Sequence, residues 1–126
     1  MEVSRGHSYP LLNALKLRAQ ITKKLEIGDK LRFRLNRAER SLRAQISSEP
    51  PYDPPWSFFD LAEIRLYNQD KEGFLSLTAR GIESATHKWQ VDTFRESLEP
   101  LLAAGLHLPG LQEGIQMLHA RASLLE

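Results

Sequence analysis

A segment of ten residues recurs along this chain at a constant spacing of 41 positions, so that residue 72 corresponds to residue 113. Residues 71–80 read KEGFLSLTAR, residues 112–121 read QEGIQMLHAR, and a weaker copy, DKLRFRLNRA, occupies residues 29–38. The two stronger copies share Glu72, Gly73, Leu77, Ala79 and Arg80, matched by Glu113, Gly114, Leu118, Ala120 and Arg121. A repeat of this length is typical of supersecondary units that bury their apolar faces only by stacking. Three copies in one register predict a repeat array in which Phe33, Phe74 and Ile115 occupy equivalent buried positions.

Each copy has the apolar spacing of an amphipathic helix. In the first copy the apolar residues recur at i, i+4, i+7 and i+11, as Leu31, Leu35, Ala38 and Leu42. Further helical stretches precede the copies at about 9–26, 56–68 and 88–104, and segments rich in glycine, proline or turn residues separate them. The pattern predicts an all-α fold without strands. We expect one domain, residues 1–126, made of three antiparallel helical hairpins at about 9–46, 56–86 and 88–125, stacked as a short right-handed solenoid.

The residues between the helices carry signals of their own. Asp29 and Asp70 are expected to be N-caps of the second helix in their hairpins, and Pro109 suits a first helical turn. Residues 47–55 read SSEPPYDPP. We interpret this stretch as a stiff connector, with a ligand for SH3-type domains as the alternative because of its PxxP spacing.

The composition excludes several classes of function. The chain has no cysteine, so we expect no disulfide, no thiol nucleophile and no thiolate metal site. There is no apolar run of about 18 residues, and the N-terminal residues lack the apolar core of a secretion signal. We therefore expect a cytoplasmic protein that does not contact the membrane.

The two halves of the chain carry opposite charge. Residues 1–50 hold eleven Lys/Arg and five Asp/Glu, a balance of +6, and residues 51–126 hold six and eleven, a balance of −5. The cations of residues 29–46 are interpreted as scattered around a solvated helix, without the aromatic or glycine pattern of a nucleic-acid site. Nucleic-acid binding by the basic half therefore stays only as an alternative function.

Catalytic and metal-binding motifs are absent from the sequence. It contains no phosphate-binding loop, dinucleotide fingerprint, zinc-hydrolase motif or nucleophile elbow. His7, His87, His107 and His119 are far apart, and none has a second ligand at metal-binding spacing. We expect neither an enzyme nor a site for a metal or cofactor.

A family resemblance accompanies these patterns. The segment WSFFDLAEIRLYNQDKEGFLSL resembles a tetratricopeptide repeat, with residues 59–62 in the first helix and residues 69–71 at the turn, although Phe74 stands where that family usually has alanine. More narrowly, SYPLLNAL (8–15), PWSFFDLAEIRLYNQDKEG (55–73) and KWQVDTFRESLEPL (88–101) resemble the TRAF-binding helical repeat domain of apoptosis signal-regulating kinases. These pieces cover about a third of the chain. The resemblance implies a regulatory scaffold that recruits partners and implies no catalytic residue.

A solenoid of this kind predicts a concave peptide-binding groove. The residues expected to line it lie on the first helices of two successive hairpins. They are Trp56, Phe59, Glu63 and Tyr67 on one helix and Trp89, Asp92 and Glu96 on the other. Such an aromatic and acidic surface would suit a basic or amphipathic segment of another protein. The alternative, equally open from the sequence, is that both tryptophans pack between hairpins.

The leading functional hypothesis is a non-enzymatic protein-interaction scaffold or regulatory module, part of a larger signalling or regulatory protein. The alternatives are a ligand-sensing regulatory domain of an attached or partner enzyme and a nucleic-acid-binding helical domain. Met117 and Leu124 form a second apolar strip near the C-terminus. This strip predicts that the C-terminal helix is covered by further repeats or by self-association with another copy of the chain.

Overall fold

A computed structural model describes the backbone of residues 5–125 and the side chains of residues 10–125. The described residues form six α-helices and no strand, which confirms the all-α fold. The helices are α1 (Arg5–Thr22), α2 (Asp29–Ser47), α3 (Trp56–Tyr67), α4 (Lys71–Ser84), α5 (Lys88–Ala103) and α6 (Leu111–Ala122). Within this part of the chain, no helix combines the length and apolar character needed to cross a membrane.

The helix starts follow local chemistry. The Asp70 carboxylate accepts a hydrogen bond from the Gly73 backbone N–H at 3.0 Å, so the expected cap of α4 is confirmed. The cap expected at Asp29 is wrong by one residue, because Gly28 is the N-cap of α2 and Asp29 already lies in its first turn. Pro109 lies ahead of α6 rather than in its first turn, because Gly110 takes the N-cap position with a positive φ of 88°.

α3 is the central helix of the fold. Ten of its twelve residues are buried, and it packs against α1, α2 and α4. The ring of Phe59 stacks on that of Phe94 with centroids 4.5 Å apart, which joins α3 to α5. On the other side, α4 and α6 approach closely because Gly114 has no side chain where the Phe74 ring lies, and an added Cβ would be 2.5 Å from that ring.

The sequence repeat does not produce three equivalent apolar positions. Phe74 is fully buried, Ile115 is half-buried, and Phe33 is 59% exposed. The expectation that these three share one environment is therefore wrong. α2 buries Leu35, Ala38 and Leu42, and a residue two positions before Leu35 is rotated by about 200° around the helix. Phe33 consequently points away from α3.

The helices that follow α2 pack as consecutive pairs, whereas α1 does not simply pair with α2. The most extensive contacts join α3 to α4 and α5 to α6. α1 makes its larger contacts with α3 and also reaches α5. The face of α3 that an open groove would leave accessible is therefore covered by α1, and the arrangement as three stacked hairpins stays a prediction.

The C-terminal strip is split between helix and turn. Met117 is half-buried in α6, whereas Leu124 lies beyond the last helical residue, Ala122, and is exposed. Glu126 lies outside the described residues. Self-association through this end stays a prediction.

Candidate protein-binding site

The structure divides the predicted groove residues between a buried and an exposed set. Phe59, Glu63 and Tyr67 on α3 are buried. Trp56 and Asp92 are half-buried, and Trp89 and Glu96 are exposed. The sequence correctly placed all seven on α3 and α5, but it did not show that α1 covers the middle of α3.

A buried polar cluster holds α1 against α3. The Glu63 carboxylate accepts a hydrogen bond from the Tyr67 hydroxyl at 2.5 Å and lies 3.2 Å from the Lys16 ammonium of α1. Lys16 is 7% exposed and Glu63 is 3% exposed. Burial, then the negative charge of Glu63, then their hydrogen bond raise the pKa of the Tyr67 phenol well above its usual range. A buried charge is tolerated only where it is paired and hydrogen-bonded in this way.

This cluster changes the interpretation of three predicted site residues. Glu63 is satisfied by Lys16 and Tyr67, and Phe59 is stacked on Phe94. Phe59, Glu63 and Tyr67 are therefore part of the core in this conformation and do not form a surface open to a partner. The reason is α1, itself an amphipathic helix with a lysine, which occupies the face assigned to a peptide.

The remaining predicted residues form an exposed aromatic and acidic surface at the start of α3 and α5. The Trp56 and Trp89 rings lie with their centroids 5.8 Å apart and their planes tilted by 40°. Trp56 also meets the edge of Phe59 at 6.1 Å, which anchors the pair to the core. Trp89 is 58% exposed. We call Trp56, Trp89, Asp92 and Glu96 the tryptophan surface.

Arg95 interacts with the carboxylates on the acidic side of this surface. Its guanidinium donates to Glu99 at 2.7 Å and to Asp92 at 3.1 Å, and lies 3.8 Å from Glu96. The hydrogen bond to Glu99, the largest cause, raises the pKa of Arg95. Glu96 is the most exposed of the three carboxylates. It is therefore the carboxylate that a cationic partner would reach most easily.

A second surface, which the sequence interpretation missed, lies between α1 and α2. A cleft of about 240 Å³ is open there. We call it the basic cleft, and its lining residues are Leu11, Ala14, Leu15, Arg18, Lys30, Leu31 and Arg34. The spacing of Lys30, Arg34 and Arg37 at i, i+4 and i+7 could have indicated it, because that spacing places three cations on one side of a helix.

The cations of α2 are therefore not all scattered. Arg43 pairs with Glu39 at 2.9 Å, and Arg32 donates to the Asn68 side chain. Lys30 and Arg34, in contrast, converge on the same cleft as Arg18 of α1. Lys30 and Arg34 are exposed to solvent, in line with the interpretation of a solvated helix, and they also line this cleft.

The residues 10–125 whose side chains are described contain no group of three His, Asp or Glu residues placed to hold a metal ion. The His7 side chain lies outside that range. No protein family, curated protein or solved structure matches this chain in comparisons with known proteins.

Proposed function

We propose that this chain is a non-enzymatic protein-interaction module that binds a basic or amphipathic segment of another protein through the tryptophan surface. The observation that carries the proposal is the exposed ring of Trp89, held against Trp56 at 5.8 Å beside the acidic side of α5. The resemblance to tetratricopeptide-like TRAF-binding domains and the stacking of the helices as hairpins form part of the same proposal.

The physical case rests on the rigidity of the aromatic pair. Tryptophan is enriched among the residues that dominate binding energy at protein interfaces, and it loses little conformational entropy when a partner covers it. A half-exposed ring already fixed by a second ring provides a preorganised anchor. The face of tryptophan also attracts Lys and Arg side chains.

The carboxylate of Glu96 would fix the orientation of a partner bound to the tryptophan pair. Glu96 follows Trp89 by seven residues, so the two side chains lie on one side of α5, about 10 Å apart along its axis. A partner helix with cations two turns apart would place one cation on the Trp89 ring and another beside Glu96. Charge pairing of this kind sets orientation and association rate more than it sets affinity.

Peptide titration tests the proposal directly. The chain has two tryptophans, and both belong to the tryptophan surface, so their fluorescence reports on its occupation. The probe is an amphipathic peptide of about 15 residues, with lysines at i, i+4 and i+7 and leucines on the adjacent face. We expect the peptide to shift the tryptophan emission, and a scrambled peptide of equal composition to leave it unchanged.

Variants assign the binding to this surface. Trp89→Ala is expected to weaken peptide binding about 30-fold, which corresponds to a hot spot of about 2 kcal/mol. Leu102→Ala is the matched control, because Leu102 is also exposed on α5 but lies on another side of it. Fluorescence anisotropy of a labelled peptide gives both affinities. An equal affinity for wild type and Trp89→Ala would refute the proposed site.

A further inference from the structure

The basic cleft combines an apolar floor with cations that have no carboxylate partner among residues 10–125, whose side chains are described. Leu11 and Leu15 of α1 are buried at its base, and Leu31 of α2 is half-buried beside them. Arg18, Lys30 and Arg34 surround this floor, and none of them forms an ion pair with any described residue. On the far side of α2, by contrast, the arginines are paired, because Glu39 forms ion pairs with both Arg43 and Arg65.

Both walls of the cleft extend beyond it along the helices. On α1, Ala14 is followed on the same side by Leu17 and Ile21, which are 57% and 72% exposed. This is the i, i+3, i+7 spacing of an apolar helical stripe. On α2, Lys30 and Arg34 are followed by Arg37, whose guanidinium lies 6.0 Å from the exposed ring of Phe33. One wall is therefore apolar and the other is basic, each over two helical turns.

The geometry points to an α-helix as the occupant. The cations of α2 follow the helical period over about 10 Å, and a partner helix with the same period can meet all of them with carboxylates while its apolar side faces α1. The cleft of about 240 Å³ is smaller than the roughly 300–1,000 Å³ of sites that enclose a whole small-molecule ligand. Its size suits the apolar side chains of a docking helix.

The surrounding chemistry disfavours a nucleic acid. Sequence-tolerant binding of single strands uses aromatic platforms along a basic groove, whereas no aromatic side chain lines this cleft. The exposed Phe33 ring lies outside the lining, beside Arg37. A phosphate backbone would also leave the exposed Leu17 and Ile21 without an apolar partner. A partner helix covers them.

We propose that the basic cleft docks an acidic amphipathic helix of a partner protein, of two to three turns. Its leucine or aromatic side chains lie over Leu11, Leu15 and Leu31. Its carboxylates, spaced i, i+4 and i+7, face Lys30, Arg34 and Arg37. This is helix-in-groove recognition, in which the apolar side supplies affinity and the charges fix orientation. The site is separate from the tryptophan surface and takes a partner of opposite charge.

The test uses the full chain and a labelled acidic amphipathic peptide of about 15 residues, with glutamates at i, i+4 and i+7 and leucines at the adjacent a and d positions. Binding is measured by fluorescence anisotropy at several salt concentrations. We expect saturable binding that weakens as salt increases, and at least tenfold weaker binding of a scrambled peptide with the same composition.

Charge reversal locates the binding. Arg34→Glu is expected to weaken the acidic peptide at least tenfold, and a peptide with one glutamate changed to lysine is expected to recover part of the loss. Arg43→Glu is the matched control, because it makes the same change on the other side of α2, where Arg43 pairs with Glu39 of the same helix. Trp89→Ala should leave this binding unchanged, so failure here and failure of the tryptophan surface are distinguishable. Circular dichroism verifies that each variant is folded.

Four results would overturn the proposal. The first is equal binding of the scrambled peptide, and the second is an equal loss in Arg34→Glu and Arg43→Glu, which would indicate non-specific attraction. The third is Arg34-dependent binding of an RNA oligonucleotide or of anionic vesicles in place of the peptide. The fourth is a dimer of the chain alone that Arg34→Glu dissociates in sedimentation experiments, which would make a second copy the occupant.

Discussion

Replacing Lys16 by methionine should destabilise the fold strongly, although the change keeps the length and apolar stem of the side chain. The substitution removes the cation that lies 3.2 Å from the Glu63 carboxylate and leaves that carboxylate buried with only the Tyr67 hydroxyl as a described partner. Both members of the ion pair are more than nine-tenths buried. Breaking such a pair costs about 3–5 kcal/mol, because an uncompensated charge remains out of water.

Urea denaturation followed by circular dichroism at the helical band measures this cost. A domain of this size is stable by about 5–15 kcal/mol, so Lys16→Met should shift the midpoint far to lower urea. Lys71→Met is the matched control. Lys71 lies 2.9 Å from Glu113, but both side chains are about half exposed, and solvent-exposed pairs contribute little to stability. We therefore expect the control to unfold nearly as the wild type does.

The double variant Lys16→Met/Glu63→Gln keeps the test decisive even if the single variant does not fold. The second change removes the stranded charge and leaves an amide oxygen that can accept from the Tyr67 hydroxyl. The double variant should therefore be more stable than Lys16→Met alone. A loss in Lys16→Met no larger than in Lys71→Met would show that the Lys16–Glu63 pair is open to water and refute the reasoning.

Three further predictions concern stability and are checked by the same denaturation experiments. Phe74→Ala should cost about 3–5 kcal/mol, because that ring is fully buried, whereas Phe33→Ala should change stability little; equal losses would contradict the observed exposure of Phe33. Gly114→Ala should lower the free energy of unfolding by about 1–3 kcal/mol, because the added methyl group overpacks against Phe74. The higher helix propensity of alanine offsets up to about 1 kcal/mol of this loss. A stability of Gly114→Ala equal to that of the wild type would show that α6 can move away from the Phe74 ring. Because the folded pKa of Tyr67 is raised above its unfolded value of about 10, its stabilisation is present below pH 10 and decreases above it, by about 1.4 kcal/mol per pH unit. Tyr67→Phe should remove this component of the alkaline destabilisation, and an unchanged pH dependence in that variant would contradict the assignment.

The helices could be predicted from the sequence because their signals are local. The stripe of Leu35, Ala38 and Leu42 fixes the buried side of α2, and Asp70 places the start of α4. Their information lies within one or two turns of chain. The position of Phe33 shows where such reasoning fails, because similarity to the copy around Phe74 does not specify which side of α2 meets α3.

The candidate site was predictable only in part, because it depends on contacts between distant segments. The sequence predicts that Trp56 and Trp89 line one groove, with packing between hairpins as the open alternative, and the structure places their rings 5.8 Å apart. The pairing of Lys16 with Glu63 joins residues 47 positions apart, and no local pattern encodes it. The basic cleft depends likewise on how α1 lies beside α2. Charge periodicity alone could have indicated one of its walls.

The buried ion pair leads to a last prediction, which concerns whether α1 packs in a single register rather than how stable the fold is. The inner side of α1 is otherwise made of Leu11, Leu12, Leu15 and Ala19. A shift of one turn, four residues, would place Leu15 and Ala19 where Leu11 and Leu15 now lie and would keep an apolar side chain at two of these four positions. Such a shift moves Lys16 by about 5.4 Å, separates it from Glu63, and leaves both charges buried without partners at a cost of several kcal/mol. We therefore expect the pair to fix the register of α1.

In Lys16→Met/Glu63→Gln this penalty is absent, so α1 should occupy more than one register while the helix content and much of the stability remain. The measurement is a comparison of near-ultraviolet circular dichroism and of amide NMR spectra with those of the wild type. Doubled or broadened resonances for α1 and α3, together with a weakened aromatic signal, are the expected result. A single sharp set of resonances and an unchanged aromatic signal would show that apolar packing alone sets the register. In that case the pair would have to be explained by its local hydrogen bonds only.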